Sequence, residues 1–156
     1  MSLQMVGELL QALDAAESDA SVRVVVLRGE GGHFCSGGDI GDMAQARMRM
    51  AAGEGDAMAD VNARFGRLCL AYSRSRLPIV TVVEGSVMGG GFGLACVSDV
   101  TLALANVVFR LPETSLGIVP AQIAPFLVER IGYAEAKRLA VTGGKVDAQE
   151  ALTIRL

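Results

Sequence analysis

Residues 79–93 have the sequence IVTVVEGSVMGGGFG, in which an apolar run leads into a glycine-rich turn. The run at 79–83 predicts a strand buried on both faces, as in a parallel sheet that helices cover on each side. The preceding pair, Leu77-Pro78, ends a helical pattern, because proline disfavours helical backbone in the residue before it. Beyond the glycines, Leu94 to Val97 predict a buried helix. Ligands of parallel sheets bind at turns of this kind, between the end of a strand and the start of a helix.

A similar arrangement lies earlier in the chain. Val22 to Leu27 form a β-branched apolar run that predicts another strand buried on both faces. The loop after it ends in FCSGGDI at residues 34–40. Before the strand, apolar residues at helical spacing from Leu3 to Leu13 predict an amphipathic first helix. Residues 41–57 have weak periodicity and predict a mobile segment, whereas residues 61–72 predict a longer helix.

The second half of the chain predicts one more strand and two further helical regions. Val100 to Leu104 predict the third strand, and residues 107–109 a short extended segment. The pattern is helical from Ala121 onward, and a last helix begins near Asp147. Apolar strands that alternate with helices predict an α/β fold: a single layer of parallel strands joined by crossover helices, in one domain over residues 1–156. A parallel sheet of only three strands has poorly protected edges.

Composition excludes several classes of partner. The 156 residues are 51% hydrophobic and carry a formal charge of -3, with no basic stripe, so nucleic-acid binding is not expected. No apolar run is long enough to span a membrane, and the first residues lack the pattern of a secretory signal, which together predict a cytoplasmic protein. Three scattered cysteines without a C-x-x-C pair fit a reducing compartment and form neither a disulfide framework nor a zinc site.

The two glycine-rich turns are candidates for binding a negative charge. A helix N-terminus offers unpaired N–H groups, and glycine allows a ligand to approach them closely. Two such turns that converge could hold one oxyanion. Close packing of helix on strand explains a single Gly-Gly pair equally well. Neither turn matches a nucleotide-binding pattern, so nucleoside triphosphates and NAD are not expected.

Three motifs, in order and spacing, resemble the crotonase (enoyl-CoA hydratase/isomerase) family. They are residues 34–40, residues 84–91 and the sequence LPETSLGIVP at 111–120, and the similarity continues through residues 139–151. The resemblance implies the ββα superhelix that crotonases share with ClpP, an acyl-CoA thioester substrate whose coenzyme A is not a separate cofactor, no metal, and a homotrimer or dimer of trimers. Family members also have an N-terminal hairpin and a C-terminal helical region that this chain lacks, which implies that the chain is a fragment of such a protein.

The resemblance also implies roles for particular residues. The N–H groups of Gly38 and Gly90 match the family's oxyanion hole, and Glu113 matches one of its two catalytic glutamates. The position of the other glutamate is Gly93, which cannot act as an acid or base. Residues implied to bind the CoA ester are Cys35, Ser36, Gly37, Gly38, Asp39, Ile40, Gly89, Gly90 and Pro112. Asp39 is as readily a helix cap as a ligand contact.

With one glutamate, the sequence leaves the reaction open. Hydration of an α,β-unsaturated acyl-CoA is the main expectation, double-bond isomerisation the first alternative, and a non-catalytic acyl-CoA-binding subunit the second. Residues 120–126 resemble the family branch that acts on branched glutaconyl-type esters, such as isohexenylglutaconyl-CoA and methylglutaconyl-CoA hydratases. Arg110 could then pair with the extra carboxylate, although a solvent-facing Arg110 is the more ordinary interpretation. His33, Ser86, Cys96 and Asp99 lack the G-x-S-x-G elbow of a serine hydrolase.

Overall fold

The computed structural model describes residues 1–156, which form six helices, six short strands and one 3-10 helix. In chain order the elements are α1 (Leu3–Ser18), β1 (Val25–Arg28), α2 (Ile40–Ala51), α3 (Ala57–Ser73), β2 (Ile79–Val83), β3 (Ser86–Met88), α4 (Gly90–Val97), β4 (Val100–Ala103), β5 (Val108–Arg110), the 3-10 helix (Pro112–Leu116), α5 (Ala124–Thr142), β6 (Lys145–Asp147) and α6 (Ala148–Thr153). The predicted first helix, the strand at 79–83, the buried helix after the glycines and the helix starting at Asp147 are all confirmed.

The strands form two sheets, so the prediction of a single layer was wrong. The first sheet is parallel with the order β1-β2-β4. The second has the order β3-β5-β6, with β3 parallel and β6 antiparallel to β5. The chain passes directly from β2 through Glu84 and Gly85 to β3, and thus from one sheet to the other. The sequence did not reveal β3 and β6, because strands of three residues are too short to show an alternating pattern.

The strand β1 is buried on one face only, which corrects the prediction of a strand covered on both. Val25 and Leu27 pack against a hydrophobic cluster formed by residues of α1, α3 and β2, whereas Val26 is 56% exposed. The neighbouring edge strand β4 is similarly open, with Leu102 at 52% exposure. The central strand β2 is covered more fully, with Ile79, Thr81 and Val83 buried on one face and Val80 and Val82 half-buried on the other.

Residues 40–51 form a regular helix, which the weak periodicity of residues 41–57 did not reveal, and the mobility of that segment stays a prediction. Asp39 caps α2, since its Oδ1 accepts a hydrogen bond of 2.9 Å from the Asp42 N–H. Asp56 caps α3 in the same way, accepting 3.0 Å from the Ala59 N–H. Only Ala46 of α2 is buried, which explains the weak apolar periodicity of this stretch.

Helix α4 lies at the centre of the core. Its residues Phe92, Ala95 and Cys96 belong to a cluster of 17 buried residues that also contains the second sheet and α5. Leu94, on its other side, belongs to a cluster of six with residues from α1, α3 and β2. A helix surrounded in this way must be apolar all round, as its sequence is. None of the helices has the length and apolar character needed to cross a bilayer.

We expect Phe109→Ala to destabilise the protein by about 3–5 kcal/mol, because removing a buried phenyl ring leaves a cavity in the core. Phe109 is fully buried, and its ring packs 5.3 Å, centroid to centroid, from that of Phe92. Urea unfolding measures the change. Tyr133→Ala is the control, since Tyr133 is 67% exposed, and a similar loss in both variants would contradict this account of the core.

Candidate active site

Two glycine-containing loops run side by side at the end of the first sheet. Cys35 and Val87 form an isolated parallel bridge. The Cys35 N–H donates to the Ser86 carbonyl at 2.9 Å, and the Cys35 carbonyl accepts from the Met88 N–H at 2.8 Å. Gly38 and Gly90 each lie three residues beyond the bridged pair. The bridge therefore carries the two loops in the same direction toward the two glycines.

Both glycines offer backbone donors to a ligand. The Gly38 N–H donates to no protein atom, and Gly90 is the first residue of α4, where an N–H has no acceptor inside the helix. Both residues line one cleft of about 690 Å³. The positive end of the α4 dipole points toward the same place. This arrangement suits an oxygen atom that carries negative charge.

The glycine triplet is also required by packing. Gly89 has φ 51° and ψ -114°, a conformation that residues with side chains rarely adopt. A Cβ on Gly90 would lie 3.0 Å from the Phe65 ring, and one on Gly91 would lie 3.2 Å from Cys35 Sγ. Packing therefore requires these glycines, and Gly89 and Gly90 also line the cleft. The packing interpretation and the ligand interpretation are compatible.

Glu113 lies beside this first turn. The residue sits in the 3-10 helix after β5, and its Oε1 is 3.1 Å from the position that a Gly89 Cβ would take. Its Oε2 is buried without any hydrogen-bond partner. Burial raises the pKa of the Glu113 carboxyl above its usual value. A carboxyl group with a raised pKa next to backbone donors is equipped to take up and return a proton.

Most of the residues predicted from the sequence meet in the 690 Å³ cleft. Those that line it are Gly37, Gly38, Asp39, Gly89, Gly90, Pro112 and Glu113. Cys35, Ser36 and Ile40 do not line it, and binding of a CoA ester by these three stays a prediction. Cys35 lies instead beneath α4, and Ile40 is 80% exposed. A second cleft of about 740 Å³, between β4 and α6, contains none of the predicted residues.

The space next to Gly93 is already occupied. Gly93 is buried, and a Cβ there would collide with the Ile123 side chain, whose Cβ is 3.2 Å away, and would lie 3.5 Å from Cys69 Sγ. In this chain the Ile123 side chain therefore leaves no room for a carboxylate at position 93. Position 93 therefore supplies no second carboxylate to act together with Glu113.

Arg110, considered above as a partner for a substrate carboxylate, does not reach the cleft. Arg110 donates to the Gly143 carbonyl at 3.4 Å and to Ser115 Oγ at 3.3 Å, and it does not line the cleft. Arg47, on α2, is the one cationic side chain on the cleft wall, and it makes no salt bridge. Nothing in the sequence distinguished Arg47 from other exposed arginines, because its place in the cleft depends on how α2 packs.

The residues considered for a serine-hydrolase site are dispersed. His33 Nδ1 accepts from the Ser86 N–H at 3.0 Å, and Asp99 Oδ2 accepts from the Ile79 N–H at 2.7 Å at the start of β2. Cys96 is a buried core residue, as expected, and burial raises the pKa of its thiol. These contacts are structural, and none of the four residues lines the cleft.

Comparisons with known proteins agree with this geometry. Residues 1–155 match the family model described as enoyl-CoA hydratase/isomerase. The structure of Pseudomonas aeruginosa AtuE is 55% identical, with a TM-score of 0.93 over 99% of this chain and 58% of that chain.

Two curated proteins are also similar. The 3-hydroxyisobutyryl-CoA hydrolase 1 of Arabidopsis thaliana is 32% identical over 160 residues, covering all of this chain and 40% of that protein. The 2,3-dehydroadipyl-CoA hydratase of Escherichia coli K12 is 32% identical over 92% of this chain and 53% of that protein. The chain thus spans about half the length of the curated relatives it matches.

Glu113→Gln is expected to stabilise the protein at neutral pH. Because the folded pKa of Glu113 is raised, the folded protein binds more protons than the unfolded chain between the usual and the raised pKa, and stability falls as pH rises through that window. Glutamine carries no charge to bury, so Tm should rise, by roughly 2–4 °C for each kcal/mol gained.

Thermal unfolding at pH 4 and pH 7 tests this expectation. The gain should be larger at pH 7 than at pH 4, because the raised pKa of Glu113 favours its neutral form as the pH falls. Glu129→Gln, at an exposed position of α5, should change Tm little at either pH. An equal gain for both variants, or none for Glu113→Gln, would show that the Glu113 charge is not strained by burial.

Gly93→Ala should destabilise the protein by about 1–3 kcal/mol, because the added methyl group overlaps the Ile123 side chain in a packed core. Gly7→Ala, in α1, is the matched control. A Cβ on Gly7 meets nothing within 4 Å, and alanine in place of a helical glycine stabilises by up to about 1 kcal/mol. Urea unfolding of both variants should give changes of opposite sign; a stable Gly93→Ala variant would mean that the site has room for a side chain.

Proposed function

The chain belongs to the enoyl-CoA hydratase/isomerase family, and we propose that it forms the core of an active site for acyl-CoA thioesters. In this site Glu113 moves a proton while the N–H groups of Gly38 and Gly90 hold the thioester oxygen. The observation that carries the proposal is the unpartnered, buried Glu113 carboxylate beside the first turn of α4. A buried polar oxygen without a partner is destabilising, and a ligand that supplies the missing contact accounts for it.

Hydration is the reaction that we favour. The C2=C3 double bond of a 2-enoyl-CoA is conjugated with the thioester carbonyl, so attack of water at C3 moves electrons onto the thioester oxygen. Glu113 accepts a proton from the attacking water, and the resulting enolate is held by the two backbone N–H groups. Protonated Glu113 then returns a proton to C2, which yields the 3-hydroxyacyl-CoA. One carboxyl group suffices if both transfers occur on the same face of the double bond.

Backbone donors are effective because they need no reorganisation as charge develops. Each donor fixed at the position of an oxyanion contributes about 2.7–4 kcal/mol to the stability of the transition state. A side-chain substitution cannot remove a backbone donor, so the role of Gly38 and Gly90 depends only on their backbone conformation. Double-bond isomerisation would use the same enolate, with Glu113 carrying the proton between carbons of the acyl chain.

Thioester hydrolysis is a second candidate, favoured by the similarity to a protein named 3-hydroxyisobutyryl-CoA hydrolase. Here water activated by Glu113 would attack the thioester carbonyl, and the same N–H groups would hold the tetrahedral oxyanion. The C–S bond then breaks, the sulfur takes the proton from Glu113, and the acid and free CoA leave. This reaction also needs one carboxyl group, so the absence of a side chain at Gly93 is compatible with it.

For the acyl group we propose a chain that carries a carboxylate, as in the branched glutaconyl-type esters. Arg47, rather than Arg110, is the cation available to it, since Arg47 lines the cleft and has no acidic partner. Guanidinium groups bind carboxylates through two parallel hydrogen bonds. The methionines of the cleft wall, Met1, Met43, Met50 and Met58, supply an adaptable apolar surface for the rest of the chain.

A panel of acyl-CoA esters tests the proposal with the purified protein. It contains straight-chain 2-enoyl-CoA, a branched glutaconyl-CoA and 3-hydroxyisobutyryl-CoA. Loss of the conjugated enoyl absorbance reports hydration, release of free thiol reports hydrolysis, and a shifted double bond in the recovered ester reports isomerisation. We expect Glu113→Gln to lower kcat at least about 100-fold, the typical contribution of a general acid–base group.

Two further observations decide the outcome. The kcat/KM of the wild type should fall on the acid side of the raised Glu113 pKa, because the base must be ionised. Glu129→Gln should leave turnover unchanged. Tight binding of CoA esters without Glu113-dependent turnover would overturn the enzyme proposal and favour a non-catalytic acyl-CoA-binding subunit.

A further inference from the structure

Gln122 reaches the cleft from the segment that fills the space above Gly93. Its neighbour Ile123 packs on Gly93 and begins the approach to α5, while the Gln122 side chain lines the cleft together with Glu113. The same short segment therefore excludes a carboxylate at position 93 and presents a different polar group to the cleft.

A glycine in α3 accommodates the Gln122 side chain. Gly66 lies in the interior of α3, where glycine is about 1 kcal/mol less favourable than alanine. A Cβ on Gly66 would collide with the Gln122 amide oxygen and would lie 3.3 Å from its Cδ. The unfavourable glycine is explained by this contact, because only a bare helix surface lets the amide lie against it.

The Gln122 amide has no partner within the protein. No hydrogen bond joins its oxygen or nitrogen to another residue, although the side chain is half-buried. The amide is also accessible, because Glu113 Oε2 is the only side-chain polar atom that is both buried and unpartnered. Its position, held by α3 on one side and open to the cleft on the other, is that of a group available to a ligand.

We propose that the Gln122 amide holds the attacking water opposite Glu113, in place of a second carboxylate. The inference rests on the proposed function of the Glu113 site. The water donates one hydrogen to the Glu113 carboxylate and the other to the Gln122 amide oxygen, which leaves a lone pair directed at the substrate carbon. Glutamine does not titrate, so Glu113 alone carries the proton in every step. Gln122 is thus a residue that binds and orients water.

The test compares kcat and KM of four variants with the ester that the wild type turns over. Gln122→Met keeps the length of the side chain and removes its hydrogen bonds, and we expect kcat to fall about 10- to 100-fold with little change in KM, as for loss of an interaction made in the transition state. Gln122→Glu restores an acceptor; it should keep kcat within about tenfold and add a second ionisation to the pH profile.

The other two variants address the position of the amide. Gly66→Ala should displace Gln122 and lower kcat, and the double variant Gly66→Ala/Gln122→Met should be no worse than Gln122→Met alone, because both act on one contact. Gly7→Ala is the matched helix control and should leave kcat unchanged. Tm of each variant establishes that it is folded.

The outcomes separate this inference from the function on which it rests. A Gln122→Met variant with wild-type kcat, in a protein whose turnover depends on Glu113, would overturn the role of Gln122 alone. If the double variant loses kcat by the product of the two single losses, Gly66 does not position the Gln122 amide, and that part of the inference is overturned. If turnover does not depend on Glu113 in the wild-type protein, the proposed function fails, and the role of Gln122 fails with it.

Discussion

The close approach of the first turn of α4 to its neighbours is the constraint on which the rest of the structure depends. Three consecutive glycines allow that turn to lie against Glu113, the Phe65 ring and Cys35 at distances that no side chain would permit. The same contacts fix α4 between the two hydrophobic clusters and leave Gly90 at the wall of the cleft. Packing and ligand binding thus require the same residues.

The site is built at some expense of stability. A carboxylate with one buried, unpartnered oxygen and a raised pKa is unfavourable in the folded state, and Gly66 and Gly93 weaken the helices in which they lie. Fully buried aromatic and aliphatic groups, such as Phe92, Phe109 and Leu139, offset these terms through the apolar surface that they remove from water. These unfavourable features lie at or next to the cleft in which we propose the active site, as stability trade-offs at active sites lead one to expect.

The parts of the fold that could be predicted from the sequence are those with strong local patterns. The strand β2 and the helix α4 have continuous apolar runs, and Gly38, Gly90 and Glu113 stand in specific motifs. The helix α2 was missed because its stability comes from the Asp39 cap and from packing, with only Ala46 buried. The exposed face of β1 could not be foreseen, since an apolar run does not tell whether a helix covers it. Arg47 joins the cleft through the packing of α2, which leaves no local signal. The motif at 120–126 pointed to a family branch but not to the contacts of Gln122 with Gly66 and of Ile123 with Gly93, because these join distant segments.

Backbone donors make the chemistry of this site depend on the residues opposite them. The N–H groups of Gly38 and Gly90 would stabilise an enolate in hydration or isomerisation and a tetrahedral oxyanion in thioester hydrolysis, since each places negative charge on the same oxygen. What differs among these reactions is where water stands and which atom receives the proton from Glu113. On the role proposed for Gln122, those choices lie with the segment at 120–123, where Ile123 closes the space over Gly93 and Gln122 enters the cleft. A change of a few residues in that segment can therefore alter the reaction while the fold, the oxyanion donors and Glu113 remain the same.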